Sequence, residues 1–447
     1  MAVIKPFRAV RYNPQRIDDM HTVVSQPYDR IGPDLQTRYY DLSPYNIVRI
    51  IEGRAEPGDD PLNPSGPNVY TRARAYYEQW LAEGVLMREK QPAFYAYEQT
   101  FTVDEAIYTR LGLIAAVELV DFAEGVILPH ERIHAGPKED RLRLLNTLGA
   151  NTEQIFILYP DAENRVNALI RQAIGDRAPD IDTVELFEDD VRQRVWPITD
   201  PDAVAAIEAE MAPMRGLIIA DGHHRYSTGL TYRDQQRAAH PDAPANAAFN
   251  FVAATLVSMS DPGLVVLPTH REIHSFDRNA PARILERAAE HFTVEQAPDL
   301  AATLQRVNAH PSGHAFGFYG GPHTGYYVLT LASGVRPADL IADDHSDAWK
   351  GLAVSLLHKV LLERVAGVPE AGIEDKSMIR YHRDPRAAVE NVDRGEGDFV
   401  FFVSPTRMED IKQIAGQGER MPQKSTDFYP KVISGIVMLP VPPDERL

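Results

Sequence analysis

The sequence predicts an α/β or α+β fold built from mixed sheets with flanking helices. Short apolar runs bounded by Gly and Pro alternate along the chain with segments whose apolar residues recur at helical spacing. Several neighbouring runs are separated by only a few polar residues, the mark of antiparallel hairpins, which argues against a purely parallel sheet. No internal repeat and no low-complexity tract interrupts the pattern.

Taken in order, residues 1–50 read as short strands and turns around Pro6, Pro27 and Pro44, with a helix near Gly32 to Tyr40. The run Ile47-Val48-Arg49-Ile50-Ile51 belongs to that strand reading. Tyr70, Ala73, Tyr77, Trp80 and Leu81 recur at helical spacing up to Gly84, which predicts a helix over 70–84. Phe94–Thr102 and Tyr108–Val120 form a hairpin across 103–106, the second strand interrupted by Gly112. A strand over 154–159 and a helix over 164–174 follow, then a hairpin from 184–187 to 191–197. Asp200 caps a helix with Pro201 at its first position. Beyond residue 216 come strands at 217–220 and 250–259, a helix over 280–291 and a hairpin through Gly320-Gly321. One long helix over 348–366 stops at Gly367. These signals divide the chain into three regions, 1–215, 216–335 and 336–447.

Composition narrows the function. The 447 residues carry a formal charge of −18, which speaks against a nucleic-acid binder, since that role needs a basic face. The absence of cysteine excludes disulfides, thiolate metal sites and a cysteine nucleophile. The first residues hold no apolar targeting segment, and nowhere do about 18 apolar residues run together, so the expectation is a cytoplasmic protein with no membrane partner.

The central stretch is Leu217-Ile218-Ile219-Ala220-Asp221-Gly222-His223-His224-Arg225-Tyr226, an apolar strand, a Gly turn and a helix start. Gly222 permits the sharp turn, and the N–H groups of the first helical turn attract anions. His223, His224 and Arg225 add donors at the same mouth, so Gly222, His223, His224 and Arg225 form a candidate phosphate cradle. An Arg in a first helical turn opposes the macrodipole, a conflict that a bound phosphate removes. Arg225 is therefore expected to serve a ligand and to lack an internal partner.

A second constellation runs Pro129-His130-Glu131-Arg132-Ile133-His134-Ala135-Gly136-Pro137-Lys138-Glu139-Asp140-Arg141. It contains His-Glu-x-x-His, which on a helix holds zinc. Pro129 before His130 and Gly136-Pro137 after His134 leave barely one helical turn, so no metal is expected there. In the preferred reading Glu131 is a base, His130 assists it, and Lys138 and Arg141 face the phosphate across from Arg225. Both constellations are then expected to share one cleft.

Pro6-Phe7-Arg8, Ser25-Gln26-Pro27-Tyr28-Asp29, Pro44-Tyr45-Asn46-Ile47-Val48-Arg49, Pro129-His130-Glu131, Gly136-Pro137-Lys138-Glu139-Asp140-Arg141, Ala220 to Tyr226, Pro268-Thr269-His270-Arg271 and Met421-Pro422-Gln423-Lys424-Ser425-Thr426 together resemble a bacterial and archaeal family, domain of unknown function 1015. That resemblance implies ancestry and no particular chemistry. Locally, Asp221 to Tyr226 is similar to the Gly-x-x-Arg motif of ParB-type CTPases, sulfiredoxins and free serine kinases, which implies a nucleotide-binding core. The catalytic cysteine of sulfiredoxins is missing, so that chemistry does not carry over. The expectation is a nucleotide-dependent phosphotransferase acting on a small hydroxyl-bearing metabolite, with ATP or another nucleotide as cofactor. Asp221 is a candidate Mg²⁺ ligand and, with His224, completes the catalytic set, while Asp29, Asn46 and Arg49 are candidate substrate-binding residues. A metal-dependent hydrolase using the histidines, and a nucleotide sensor without turnover, stay open as alternatives.

Overall fold

Nine strands form the main sheet of the computed structural model. From one edge the order is Ile127–Pro129, Leu217–Asp221, Ile155–Tyr159, Phe251–Ser258, Ala106–Glu118, Phe94–Val103, Arg192–Ile198 and Ile181–Val184, with Ile4–Lys5 also pairing to Ala106–Glu118. The structure describes residues 1–447 except 64, 132–134, 188–189 and 278, and the side chains of 135–137. Leu217–Asp221 runs parallel to Ile127–Pro129 and antiparallel to Ile155–Tyr159, so the sheet is mixed, as the hairpins predict. Leu217, Ile219, Ile155, Ile157 and Leu256 line one core with Val166, Ile170 and Met211. The near-continuous apolar composition of these central strands follows from their burial.

This sheet belongs to the first of two units, which comprises Met1–Pro129, Ile133–Val265 and Pro430–Leu447. The second unit comprises His130–Arg132 and Val266–Tyr429. It holds an antiparallel sheet in the order Phe292–Ala297, Tyr326–Leu331, Ala315–Tyr319, Phe399–Phe402, His270–Ile273 and Ile379–His382. The divisions at 215 and 335 do not coincide with these units. Leu217–Asp221 inserts between strands from earlier in the chain, and the last residues return to the first unit.

Local signals account for many of the elements. The helix Val69–Ala82 opens at Asn68, whose side chain accepts from Tyr70 and Thr71 N–H while Thr71 caps back. Asp200 accepts from Ala203 N–H ahead of the helix Pro201–Met211. Gly112 does not interrupt its strand. It pairs in register, and a Cβ there would lie 3.0 Å from Thr255 Cγ2 and 3.1 Å from Val257 Cγ2, so a side chain would fit only if those methyls gave way by a few tenths of an ångström.

Two expectations are corrected. Val48–Ile51 is a short helix and not a strand, because Ile47, Ile50 and Ile51 all reach one core with Tyr12, Tyr70 and Trp80. The long helix over 348–366 is broken into Asp347–Lys350, a turn at Gly351, and Ala353–Ser355 leading into a wider π-type helix, Leu356–Ala366, ended by Gly367 at φ +83°. Among the described residues no helix is long and apolar enough to cross a membrane.

Candidate functional site

The site of the first unit starts where Leu217–Asp221 ends. The pairing register shifts between Ile219 and Asp221, a bulge that re-aims the strand end. Gly222 follows at φ +91° and ψ 28°, and the helix His223–Ala239 begins at the next residue without a side-chain cap. The first intrahelical bond there is Tyr226 N–H to the Gly222 carbonyl, 2.9 Å, so the N–H groups before it have no acceptor within the helix. A Cβ on Gly222 would sit 3.1 Å from Arg225 Nε and 3.2 Å from its Cζ, because the guanidinium lies against the turn. Gly222→Ala should therefore cost about 1–3 kcal/mol from the left-handed backbone and displace that guanidinium, read by urea unfolding.

Arg225 has internal partners, contrary to the expectation from sequence. Nη1 donates to the Gln154 carbonyl at 2.5 Å and Nη2 to Asp221 Oδ2 at 2.6 Å. The i to i+4 step across the Gly turn brings its own carboxylate within reach, which no local pattern announces. Its Nε is buried and has no hydrogen-bond partner among the described residues. Lys431 Nζ donates to the other Asp221 oxygen at 3.1 Å, so one carboxylate is clasped by two cations. Burial alone would raise the Asp221 carboxyl, but Lys431 and Arg225 outweigh it and hold it well below the usual carboxylate range. Burial acts against the charge of Arg225, and Glu153, Asp221, Asp29 and Tyr28 more than restore it.

A second arginine stands beside the first. Arg141 comes from the helix Ala135–Leu148, which packs on the helix His223–Ala239, with Thr228 Oγ1 donating to the Lys138 carbonyl at 3.3 Å. Arg141 is buried and donates from Nε to Asp140 Oδ2 at 2.7 Å, from Nη1 to the Ile51 carbonyl at 2.6 Å and from Nη2 to Glu52 Oε2 at 3.4 Å. Its guanidinium carbon lies 4.1 Å from the centre of the Tyr28 ring. Glu153 joins the two arginines: Oε2 is 3.9 Å from Arg141 Nη1, and Oε1 accepts from Tyr28 N–H at 3.0 Å and Ser434 Oγ at 3.1 Å. Burial pushes the Tyr28 phenol up to about 12 against the pull of Arg225 and Arg141.

Two cavities of about 50 Å³ each border Arg141. One is lined by Arg141, Glu153, Arg225 and Thr228, the other by Glu52, Tyr70, Asp140 and Arg141. Each has room for a few waters or one small polar group. Burial raises the Glu52 carboxyl despite the neighbouring Arg141.

The predicted site residues are thus only partly gathered. Gly222, Arg225, Asp221 and Arg141 share one neighbourhood, and Lys138 lies half-buried on the helix that carries Arg141. His223 is buried and His224 half-buried at the start of the helix. Asp29 is exposed and acts on Arg225 through its charge. Asn46 is a structural residue and not a pocket group. It is fully buried, donates to the Thr22 and Val24 carbonyls at 2.8 and 3.0 Å, and accepts from Val48 N–H. Arg49 is engaged with Tyr40, donating to its carbonyl at 3.0 Å and lying 4.2 Å from its ring centre. His130 and Glu131 belong to the second unit, where His130 Nε2 is 2.8 Å from Thr426 Oγ1. His134 lies outside the described residues. Pro137, read as a helix stop, falls in the first turn of Ala135–Leu148, where a missing N–H costs nothing. Among the described residues no cluster of three or more His, Asp or Glu side chains is arranged to hold a metal ion.

Sequence reasoning missed Lys431, Glu153 and Glu52, and it quoted Tyr28 only within a motif. Lys431 directly precedes the apolar pair Val432-Ile433 and Glu153 stands one residue before the apolar run from Ile155, and a charge beside an apolar run was the one available signal.

A family model described as a protein of unknown function, DUF1015, matches residues 4–355. The chain belongs to this family. The matched span includes Asp221 to Arg225, Arg141 and Glu153 and stops short of Lys431. No curated protein is recognisably similar to this DUF1015 chain. Solved structures give weak likenesses. A free serine kinase in complex with AMP is 15% identical with a TM-score of 0.35, over 72% of this chain and 90% of that one. A conserved hypothetical protein from Pyrococcus furiosus is 13% identical with a TM-score of 0.32, over 70% and 91%. SbnI with a C-terminal truncation, from Staphylococcus aureus, is 10% identical with a TM-score of 0.34, over 73% and 87%.

Proposed function

We propose that the first unit binds the phosphate chain of ATP or another nucleotide at Gly222–Arg225 and directs a phosphoryl group to a small hydroxyl-bearing metabolite. The observation that carries this reading is the strand, left-handed Gly222 and a helix start without a side-chain cap, with the Arg225 guanidinium laid over the turn and its Nε without a partner among the described residues. Phosphoryl transfer needs positioning and charge neutralisation more than covalent help from the protein, and the buried Arg141 and Lys431 with the largely buried Arg225 supply three cations. His223 and His224 stand at the same helix start as further phosphate donors, and Lys138 is one turn before Arg141. The nucleotide, when bound, supplies the phosphoryl group. Asp221, clasped by Arg225 and Lys431, is then a positioning group in preference to a Mg²⁺ ligand. Glu52 is the candidate base within this unit, since it borders a cavity with Arg141 and its raised carboxyl is the better proton acceptor.

Phosphorus NMR of the protein incubated with ATP or ADP and a panel of small hydroxyl metabolites tests the proposal. A new phosphomonoester signal that disappears with Glu52→Gln is the expected result. Nucleotide bound without turnover on any acceptor would leave a sensor, and no nucleotide binding at all would end the reading.

A further inference from the structure

Three motifs that the first unit leaves unused meet in the second. Met421 N–H donates to the His130 carbonyl at 2.8 Å, His130 Nε2 is 2.8 Å from Thr426 Oγ1, and Arg271 Nη2 donates to the Lys424 carbonyl at 2.9 Å. Arg271 is fully buried. Among the described residues its hydrogen bonds go only to neutral acceptors: His358 Nε2 at 3.3 Å, the Thr269 carbonyl and the Lys424 carbonyl. The carboxylates of this neighbourhood are matched elsewhere, Glu272 by Arg380 and His382, Asp427 by Arg383. A buried cation without a carboxylate is costly, and His358 relieves none of the charge because it must be neutral to accept.

The remaining hydrogen-bonding capacity of the Arg271 guanidinium is all of one kind. A guanidinium has five N–H groups, and the three bonds above leave one on each terminal nitrogen. The Tyr381 ring lies 5.5 Å from the guanidinium carbon, and its hydroxyl is buried with no hydrogen-bond partner among the described residues. Burial also raises the Tyr381 phenol, so it stays a donor at neutral pH. Spare buried donors around an unmatched positive charge call for a ligand that only accepts and carries negative charge.

We propose that Arg271 and Tyr381 anchor an oxyanion site in the second unit, and that its ligand is phosphate, free or as the monoester of a metabolite. A forked guanidinium matches paired phosphate oxygens, and the doubly charged ion answers the unmatched cation better than a carboxylate does. The site does not depend on the nucleotide reading of the first unit.

The test uses the full chain carrying Arg225→Lys, which weakens the other phosphate-binding candidate. Hydrogen exchange is followed with and without inorganic phosphate, and calorimetric titration compares inorganic phosphate with glycerol phosphate. Protection of segments 268–273, 379–383 and 421–427 is expected. Arg271→Lys should weaken phosphate binding at least about tenfold and Tyr381→Phe about threefold to tenfold. Tighter binding of the free ion marks an inorganic phosphate site, and tighter binding of the ester marks a phosphorylated metabolite. Absence of protection in those segments overturns the proposal. So does unchanged affinity in Tyr381→Phe, a variant that removes one hydroxyl and so remains informative if Arg271→Lys fails to fold.

Discussion

Arg225→Ala should lower the unfolding free energy by about 2–4 kcal/mol, the loss of one hydrogen bond between charged groups and one to a backbone carbonyl together. The guanidinium is largely buried, so solvent screening does little to reduce the effect. Its removal leaves the Gln154 carbonyl without its donor and leaves Asp221 with Lys431 alone. Urea unfolding at neutral pH measures the loss. A change below about 1 kcal/mol would mean that the clasp contributes no more than a surface pair, and that Arg225 is held for a ligand alone.

Lys431→Met removes the other cation and should cost about 1.5–3 kcal/mol at pH 7, as expected for a hydrogen bond between charged groups. The cost should depend on pH with a definite sign. Asp221 titrates well below its ordinary range in the folded protein because Lys431 and Arg225 outweigh its burial. A depressed carboxyl contributes stability that is fully present above its unfolded pKa, about 3.9, and is lost as pH falls from there toward the folded value. With Lys431 gone the depression is smaller, so less remains to be lost in acid. The stability difference between the wild type and Lys431→Met should be constant from about pH 5 to 8 and narrow below about pH 4. A gap that stays the same down to pH 2.5 would place the effect of Lys431 in packing and not in its charge.

The parts of the site written in consecutive residues were legible beforehand. An apolar strand, a Gly and a helix start occupy ten consecutive positions, and each is decided by local physics: strand burial, the left-handed turn at Gly222, and the helix beginning at His223. What was not legible is pairing at long range. Lys431 and Asp221 are 210 positions apart, and nothing in the local pattern of either says which charge it will meet. Arg225 was misjudged for the same reason, since its contact with the Gln154 carbonyl depends on the sheet placing Ile155–Tyr159 beside Leu217–Asp221. Asn46 looked like a pocket residue because a polar residue in a motif invites that reading. Its amide is in fact spent on backbone groups that the chain's own turns leave unpaired. The broken helix after Asp347 escaped notice because periodicity continues through Gly351, where the backbone turns.

The most direct measurement of the central claim is calorimetric titration of ATP and of ADP into the wild type and into Arg225→Lys, at a temperature where both are folded. Lysine keeps a positive charge near Asp221 but loses the fork that lies over the Gly222 turn. If phosphate sits on that turn, nucleotide affinity should fall by about ten to a hundredfold, equivalent to roughly 1.5–3 kcal/mol for a charged hydrogen-bonding group. Equal affinity in the two proteins would contradict the account and leave Arg225 as the structural partner of Asp221 and the Gln154 carbonyl.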